Sequence, residues 1–200
     1  MIQMYEPVKQ SFFKAPCLNL AQALLGNYIV HDLPQGRVVG KIVETEAYQG
    51  PEDQAAHSFN NRRTKRTEIM FEQAGLVYTY QMHTHTLINV VAGSVGVPHA
   101  VLIRAVEPVE GLHLMQENRG LHLKQVDWTN GPGKLTKALG ITMDYYGHDW
   151  QLPPLFIGKG ASPKKIETSP RIGIENANEA VDYPWRFYEK DNPYVSKYRK

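Results

Sequence analysis

Apolar residues recur along this chain in short runs whose period switches between that of a helix and that of a strand. Leu18, Ala21, Leu24 and Leu25 share one stripe of a helix over Pro16–Leu25, with Gly26 as its stop. Tyr28–His31 and Arg37–Tyr48 predict strands on either side of the Leu33-Pro34-Gln35-Gly36 turn, the second closed by Gly50-Pro51. Thr64–Phe71 predicts a short helix. Leu76–Met82, Leu87–Ala92 and Ala100–Val106 predict strands, and Val109–Asn118 a helix. Asn130-Gly131-Pro132-Gly133-Lys134 opens another helix, with Pro132 in its first turn and Gly140 as its end. Strands at Leu155–Ile157, Arg171–Ile174 and Trp185–Tyr188 complete the pattern, with 158–170 and 189–193 as loops. Polar His83-Thr84-His85-Thr86 between two apolar runs marks the tip of a protruding β-hairpin. Without the glycine of a tight primed turn, its connection is expected to exceed two residues. Helices and strands intersperse without regular alternation. The fold class is therefore α+β, a single domain over residues 1–200 with a curved, largely antiparallel sheet flanked by helices.

Composition keeps this picture globular, at 42% hydrophobic and 21% charged residues. Lys plus Arg (22) barely exceeds Asp plus Glu (20), so only a local patch can attract a polyanion. The densest is Arg62-Arg63-Thr64-Lys65-Arg66. Cys17 is the single cysteine, which excludes an intrachain disulfide and a thiolate metal cluster. The start of the chain lacks a signal-peptide pattern and no apolar window reaches membrane-spanning length. A cytoplasmic, reduced protein is expected, with no membrane partner.

Strand alternation adds the first candidate chemistry. Glu44, Glu46 and Tyr48 point one way while Val43, Thr45 and Ala47 point the other. Two acids and an aromatic ring thus share a face, and His57 follows. A carboxylate beside aromatic surfaces can activate water next to a flat substrate. Glu46 is the better candidate, because Ala47 and Tyr48 offer a less polar setting. At a rise of about 3.3 Å per residue, Glu44 and Glu46 lie roughly 6.5–7 Å apart. That spacing also suits the acid and base of an inverting sugar hydrolase, so an O-glycoside hydrolase stays open. Tyr78 and Tyr80 share a face and can stack on flat bases or pack in the core. His83 and His85 form a His-x-His pair without a third ligand at metal spacing, so no metal and no cofactor is expected. Gly131 and Lys134 at a helix start can meet a phosphate, although the sequence is not a nucleotide-binding P-loop. A nucleic-acid-binding module without catalysis accounts for the cations and aromatics, but not for the acids.

Several of these segments together resemble the alkyladenine (3-methyladenine) DNA glycosylase family, of the non-helix-hairpin-helix type. They are Glu44-Thr-Glu-Ala-Tyr48, Gly50-Pro-Glu-Asp53 with Ala55-Ala-His-Ser58, Tyr78-Thr-Tyr80, Leu102-Ile-Arg-Ala-Val-Glu-Pro108, Gly131-Pro-Gly-Lys-Leu135 and Arg186-Phe-Tyr188. The likeness runs in order from about Phe13 to the C-terminus. It implies that Glu46 is the general base that activates water against C1′ of a damaged nucleotide. Tyr48, His57 and Tyr80 match the residues that sandwich the flipped purine, and Asn89 the one that resists the amino group of guanine. Arg104 matches a support for the water and the sugar phosphate. His83 stands where the family's familiar vertebrate member has a tyrosine wedge.

The resemblance implies a monofunctional hydrolase acting on double-stranded DNA that contains damaged purines such as 3-methyladenine, 7-methylguanine or hypoxanthine. Flipping costs a few kcal/mol, which aromatic faces and the wedge help to offset. Arg62, Arg63, Lys65 and Arg66, with Gly131 and Lys134, would grip phosphates without reading sequence. A monomer is the simplest expectation.

Overall fold

The computed structural model describes residues 4–197. Helices α1 (Gln10–Phe13) and α2 (Cys17–Ala23) lead into a hairpin of β1 (Tyr28–Leu33) and β2 (Gly36–Gln49). Strands β3 (Val77–Met82), β4 (His85–Ala92) and β5 (His99–Glu110) form a meander. Helices α3 (Leu112–Arg119) and α4 (Pro132–Ala138) follow, then β6 (Leu155–Gly158), β7 (Ile166–Ser169) and β8 (Arg186–Glu189). The fold is α+β, as the switching period predicts. Its 8-stranded sheet has the order β3-β4-β5-β2-β1-β6, with β8 joining β2 beyond the end of β1 and β7 pairing with β8. Among the described residues every pair of strands is antiparallel. Among the described residues, no helix is long and apolar enough to cross a membrane.

Strand β2 is the axis of the molecule, and a bulge divides its two functions. Val38 and Ile42, at even positions, pack into the main core with Leu20 and Leu24 of the α2 segment and Leu135 of α4. Past the bulge the same core takes odd positions: Ala47 joins it, and the Thr45 hydroxyl donates to the Ala21 carbonyl at 2.7 Å. Between them the register against β5 shifts. Ile42 faces Val106, Glu44 faces Ala105 and Thr45 faces Ile103, so Val43 on β2 and Arg104 on β5 each lack a partner on the other strand. A one-residue bulge reverses the face taken by every later residue. Glu44, Glu46 and Tyr48 are thereby turned away from the helices, the grouping that alternation predicts, although Val43 stands outside that register.

Several local expectations are corrected. Over Thr64–Phe71 only Glu68–Phe71 is helical, as a 3-10 turn. Thr64 and Thr67 exchange side-chain bonds with each other's backbone N–H at 2.9 and 3.3 Å, competing with helical pairing. The helix expected from Val109 begins at Leu112, because β5 runs on to Glu110 with Pro108 at an irregularity of the β2 register. The span 158–170 contains β7. Arg171–Ile174 is not a strand but a loop pinned by Arg171. The hairpin between β3 and β4 has a two-residue connection, since Met82 pairs with His85. His83 supplies the positive φ, 54°, that sequence reasoning reserved for glycine.

Candidate active site

The site is one row of the sheet. Tyr78 on β3 pairs with Asn89 on β4, Asn89 with Leu102 on β5, and Leu102 with Glu46 on β2. Directly opposed residues in antiparallel strands share a face, so register alone puts the acid, the amide and the tyrosine on one surface. Tyr48 and Tyr80 lie one pleat away on β2 and β3, and Arg104 two residues beyond Leu102. Above this row is a cavity of about 270 Å³, walled by Tyr48, His57, Tyr80, Asn89 and Arg104 together with Met70, Tyr78 and the Ile172–Ile174 loop. That is near the lower end of small-ligand pockets, about 300–1,000 Å³.

Glu46 lies directly behind the cavity wall, with 0% exposure. Its setting is rich in donors, not the apolar one expected. Oε2 accepts from the Tyr48 hydroxyl at 2.8 Å and from Arg104 at 3.3 Å, and Oε1 accepts from the Ile172 N–H at 2.8 Å. All three partners line the cavity. A carboxylate offers about four acceptor positions, so Glu46 keeps one, on Oε1. Burial, and then the charge of Glu46, raise the Tyr48 pKa well above its ordinary value, so its hydroxyl holds its proton and donates. Burial opposes the charge of Arg104, but Glu46 and Glu44 outweigh it and hold the guanidinium firmly protonated.

Glu44 is different. Four donors surround it: Arg104 Nε at 3.1 Å, Arg186 Nε at 2.7 Å, and the N–H and hydroxyl of Ser196 at 2.7 and 2.6 Å. Three of these donors meet Oε1 and one meets Oε2, and of the partners only Arg104 lines the cavity, which ties Glu44 into the fold and away from the role of acid or base in a sugar hydrolase.

The aromatic wall is an interlocked set. His57 packs edge-on to Tyr80, with ring centroids 4.6 Å apart, and its Nδ1 lies 2.7 Å from the Tyr78 hydroxyl. Asn89 Nδ2 donates to the Tyr78 carbonyl at 2.9 Å, fixing the amide. Burial raises the Tyr80 phenol to about 12. Burial, followed by the charges of Arg66 and Arg62, pushes the His57 imidazole down to about 4. The folded value lies below the ordinary one of about 6.5. Between those values the unfolded chain therefore takes up a proton that the folded chain refuses, and stability falls as pH falls. His57 is expected to stay neutral down to about pH 5 in an NMR titration, and His57→Gln should flatten the stability loss between about pH 6.5 and 4.

Other expected site residues lie at the rim. His83 and His85, both exposed, share a second hollow of about 260 Å³ with Met82, Gly131 and Lys134, which adjoins the first and has Met82, Leu87 and Pro132 in common with it. Gly131 caps α4 and Lys134 Nζ reaches Asn130 Oδ1 at 2.7 Å. A side chain on Gly133 would put its Cβ 2.7 Å from His85 Cβ, so glycine is what allows hairpin and helix to touch. Gly133→Ala is expected to cost about 1–3 kcal/mol in chemical denaturation. Arg62, Lys65 and Arg66 are exposed, but Arg63 is engaged: it pairs with Glu68 at 2.6 Å and lies 4.8 Å over the Phe71 ring.

Sequence reasoning missed the Ile172 N–H and what holds it. Arg171 donates to both oxygens of buried Asp53, at 2.5 and 2.8 Å, and to the Ala47 carbonyl at 2.9 Å. Its guanidinium lies 4.7 Å from the Tyr48 ring and 5.0 Å from Trp185. The only signal was Asp53, unassigned within the Gly50–Asp53 motif.

An acid behind an aromatic slot suits hydrolysis of a bond to a flat ring. The model of the methylpurine-DNA glycosylase family matches residues 11–193. A protein of Bacillus licheniformis named "Putative 3-methyladenine DNA glycosylase" is 58% identical over 193 residues, covering 96% of this chain and 98% of the relative. Relatives of the same name in Bacillus subtilis and Oceanobacillus iheyensis are 57% and 50% identical, covering 98% of this chain in each case and 100% and 98% of their own lengths. The chain belongs to the methylpurine-DNA glycosylase family.

Proposed function

We propose that the protein is a monofunctional purine DNA glycosylase. It swings an alkylated or deaminated purine, such as 3-methyladenine, 7-methylguanine or hypoxanthine, out of duplex DNA and hydrolyses its N-glycosidic bond. The observation that carries this reading is the bonding of Glu46: three donors from the cavity wall, one acceptor position left for water. The water proton passes to that carboxylate as the water oxygen bonds C1′. The C1′–N bond breaks, and its electron pair leaves with the purine. A purine alkylated at N3 or N7 is cationic, so it departs neutral and favours aromatic faces before it goes. Positive charge developing on the deoxyribose faces the Glu46 carboxylate.

Tyr48, His57 and Tyr80 enclose the base in this scheme, and Asn89 excludes guanine by opposing its amino group. Arg104 holds Glu46 and the sugar phosphate in relation to one another, and His83 fills the vacated stack. The chain acts as a monomer and one domain, on double-stranded DNA. No lysine lines the cavity among the described residues, which favours an intact strand over Schiff-base chemistry. The test is incubation with methylated duplex DNA without added metal, followed by chromatography of the released bases. Free alkylpurine and alkali-labile sites are expected; an unaltered duplex rejects the proposal.

Phosphates are held by Arg62, Lys65 and Arg66 and by the Gly131–Lys134 segment, with Arg63 contributing less because Glu68 already neutralises it. In binding assays across salt concentration, Arg62→Ala and Arg66→Ala should each reduce the slope by about 0.9, and Arg63→Ala by clearly less.

A further inference from the structure

Glu44 is fully buried within the sheet face that carries the site, yet it does not line the cavity, and of the groups that donate to it only Arg104 does. What it touches is informative. One neighbour is Arg104, whose Nη1 reaches Glu46 while its Nε is held by Glu44. A second is Arg186, which also donates to the Ser196 carbonyl at 3.0 Å and to the Ser169 hydroxyl at 2.9 Å. The third is Ser196 itself, 152 residues away in sequence, bonded through both its N–H and its hydroxyl. Arg104 thus spans two carboxylates. Only one of them faces the chemistry, and the other is fastened to the last described turn of the chain.

We infer that Glu44 is a positioning residue for excision: it fixes the Arg104 guanidinium, and through it Glu46, using Ser196 as the anchor at its back. This rests on the glycosylase reading above. Without the Glu44 charge, Arg104 keeps Glu46 as its one anionic partner among the described residues and moves toward it, onto the carboxylate that must take the water proton. A displacement of about 1 Å at a reacting group costs on the order of 100-fold in rate. Two variants separate positioning from mere stability. Glu44→Gln keeps the shape but presents an amide N–H₂ to a ring of donors; Ser196→Ala removes one hydrogen bond at the edge of the cluster.

The experiment measures the single-turnover rate of alkylpurine release per folded molecule, well below each variant's melting temperature, beside affinity for a duplex holding an abasic analogue. Glu44→Gln is expected to slow release about 100-fold. Ser196→Ala should slow it about fivefold, the equivalent of one hydrogen bond. Affinity for the abasic duplex should stay within about twofold in both, inside the change that loss of one hydrogen bond brings. A lowered melting temperature with an unchanged rate per folded molecule, in either variant, overturns the inference. Where Glu44→Gln does not fold, Ser196→Ala alone decides. Failure of the unaltered protein to release any base is a different result, and it rejects the glycosylase reading instead.

Discussion

Glu46→Gln is expected to slow release of alkylated purines by about 10²–10⁴-fold, the usual contribution of a positioned general base, while affinity for damaged duplex persists. The amide keeps the length of the side chain and can still accept from one side, but it cannot take the proton that an attacking water must lose. Its N–H₂ group would also face donors on whichever side it lies, because Tyr48, Arg104 and the Ile172 N–H all point at this position. Binding is expected to survive because His57 and Tyr80, two of the three residues that enclose the base, are held by each other and by the 2.7 Å contact of His57 with Tyr78, while Tyr48 can still donate to the amide oxygen of the variant. Single-turnover release of base from methylated duplex measures the first effect and direct titration the second. Full activity in the variant removes Glu46 from the mechanism.

Asp53→Ala carries the largest expected cost in stability. Asp53 and Arg171 are both at 0% side-chain exposure, and breaking a buried pair by removing one partner typically costs about 3–5 kcal/mol. For a chain of this size that corresponds to a melting temperature lower by roughly 6–20 °C. The Gln49 and Ala55 N–H groups lose their acceptor in the same step. Replacing both charges by apolar residues should recover part of the loss, since no charge is then left alone. Calorimetry on the two variants checks this, and a single variant within about 1 kcal/mol of the parent contradicts it.

Sequence alone reached the class of fold, and local alternation grouped some of the residues that the structure brings together around the cavity. Alternation over Arg37–Tyr48 grouped Glu44, Glu46 and Tyr48, and the period of Leu76–Met82 grouped Tyr78 with Tyr80. What escaped was set by residues far apart in the chain. Ile172 and Ile174 alternate like a strand, but Arg171 is held by Asp53, 118 positions away, and Gly173 adopts a φ of 76°. The bulge was hidden because Ile42 and Val43 are both apolar, so either face could have claimed them. The 3-10 turn at Glu68–Phe71 and the two-residue hairpin turn depended on threonine bonding and on a histidine in a glycine-like conformation, where propensity points elsewhere.

The bulge at Val43 makes chain length itself a functional quantity. Losing or gaining one residue between Ile42 and Glu44 would not stay a local lesion, because everything downstream rotates half a turn with respect to the sheet. Thr45 and Ala47 would then look out over the base cavity while both glutamates were driven under α2. Point substitutions along this strand can be absorbed one at a time, whereas an indel exchanges inside for outside in a single step.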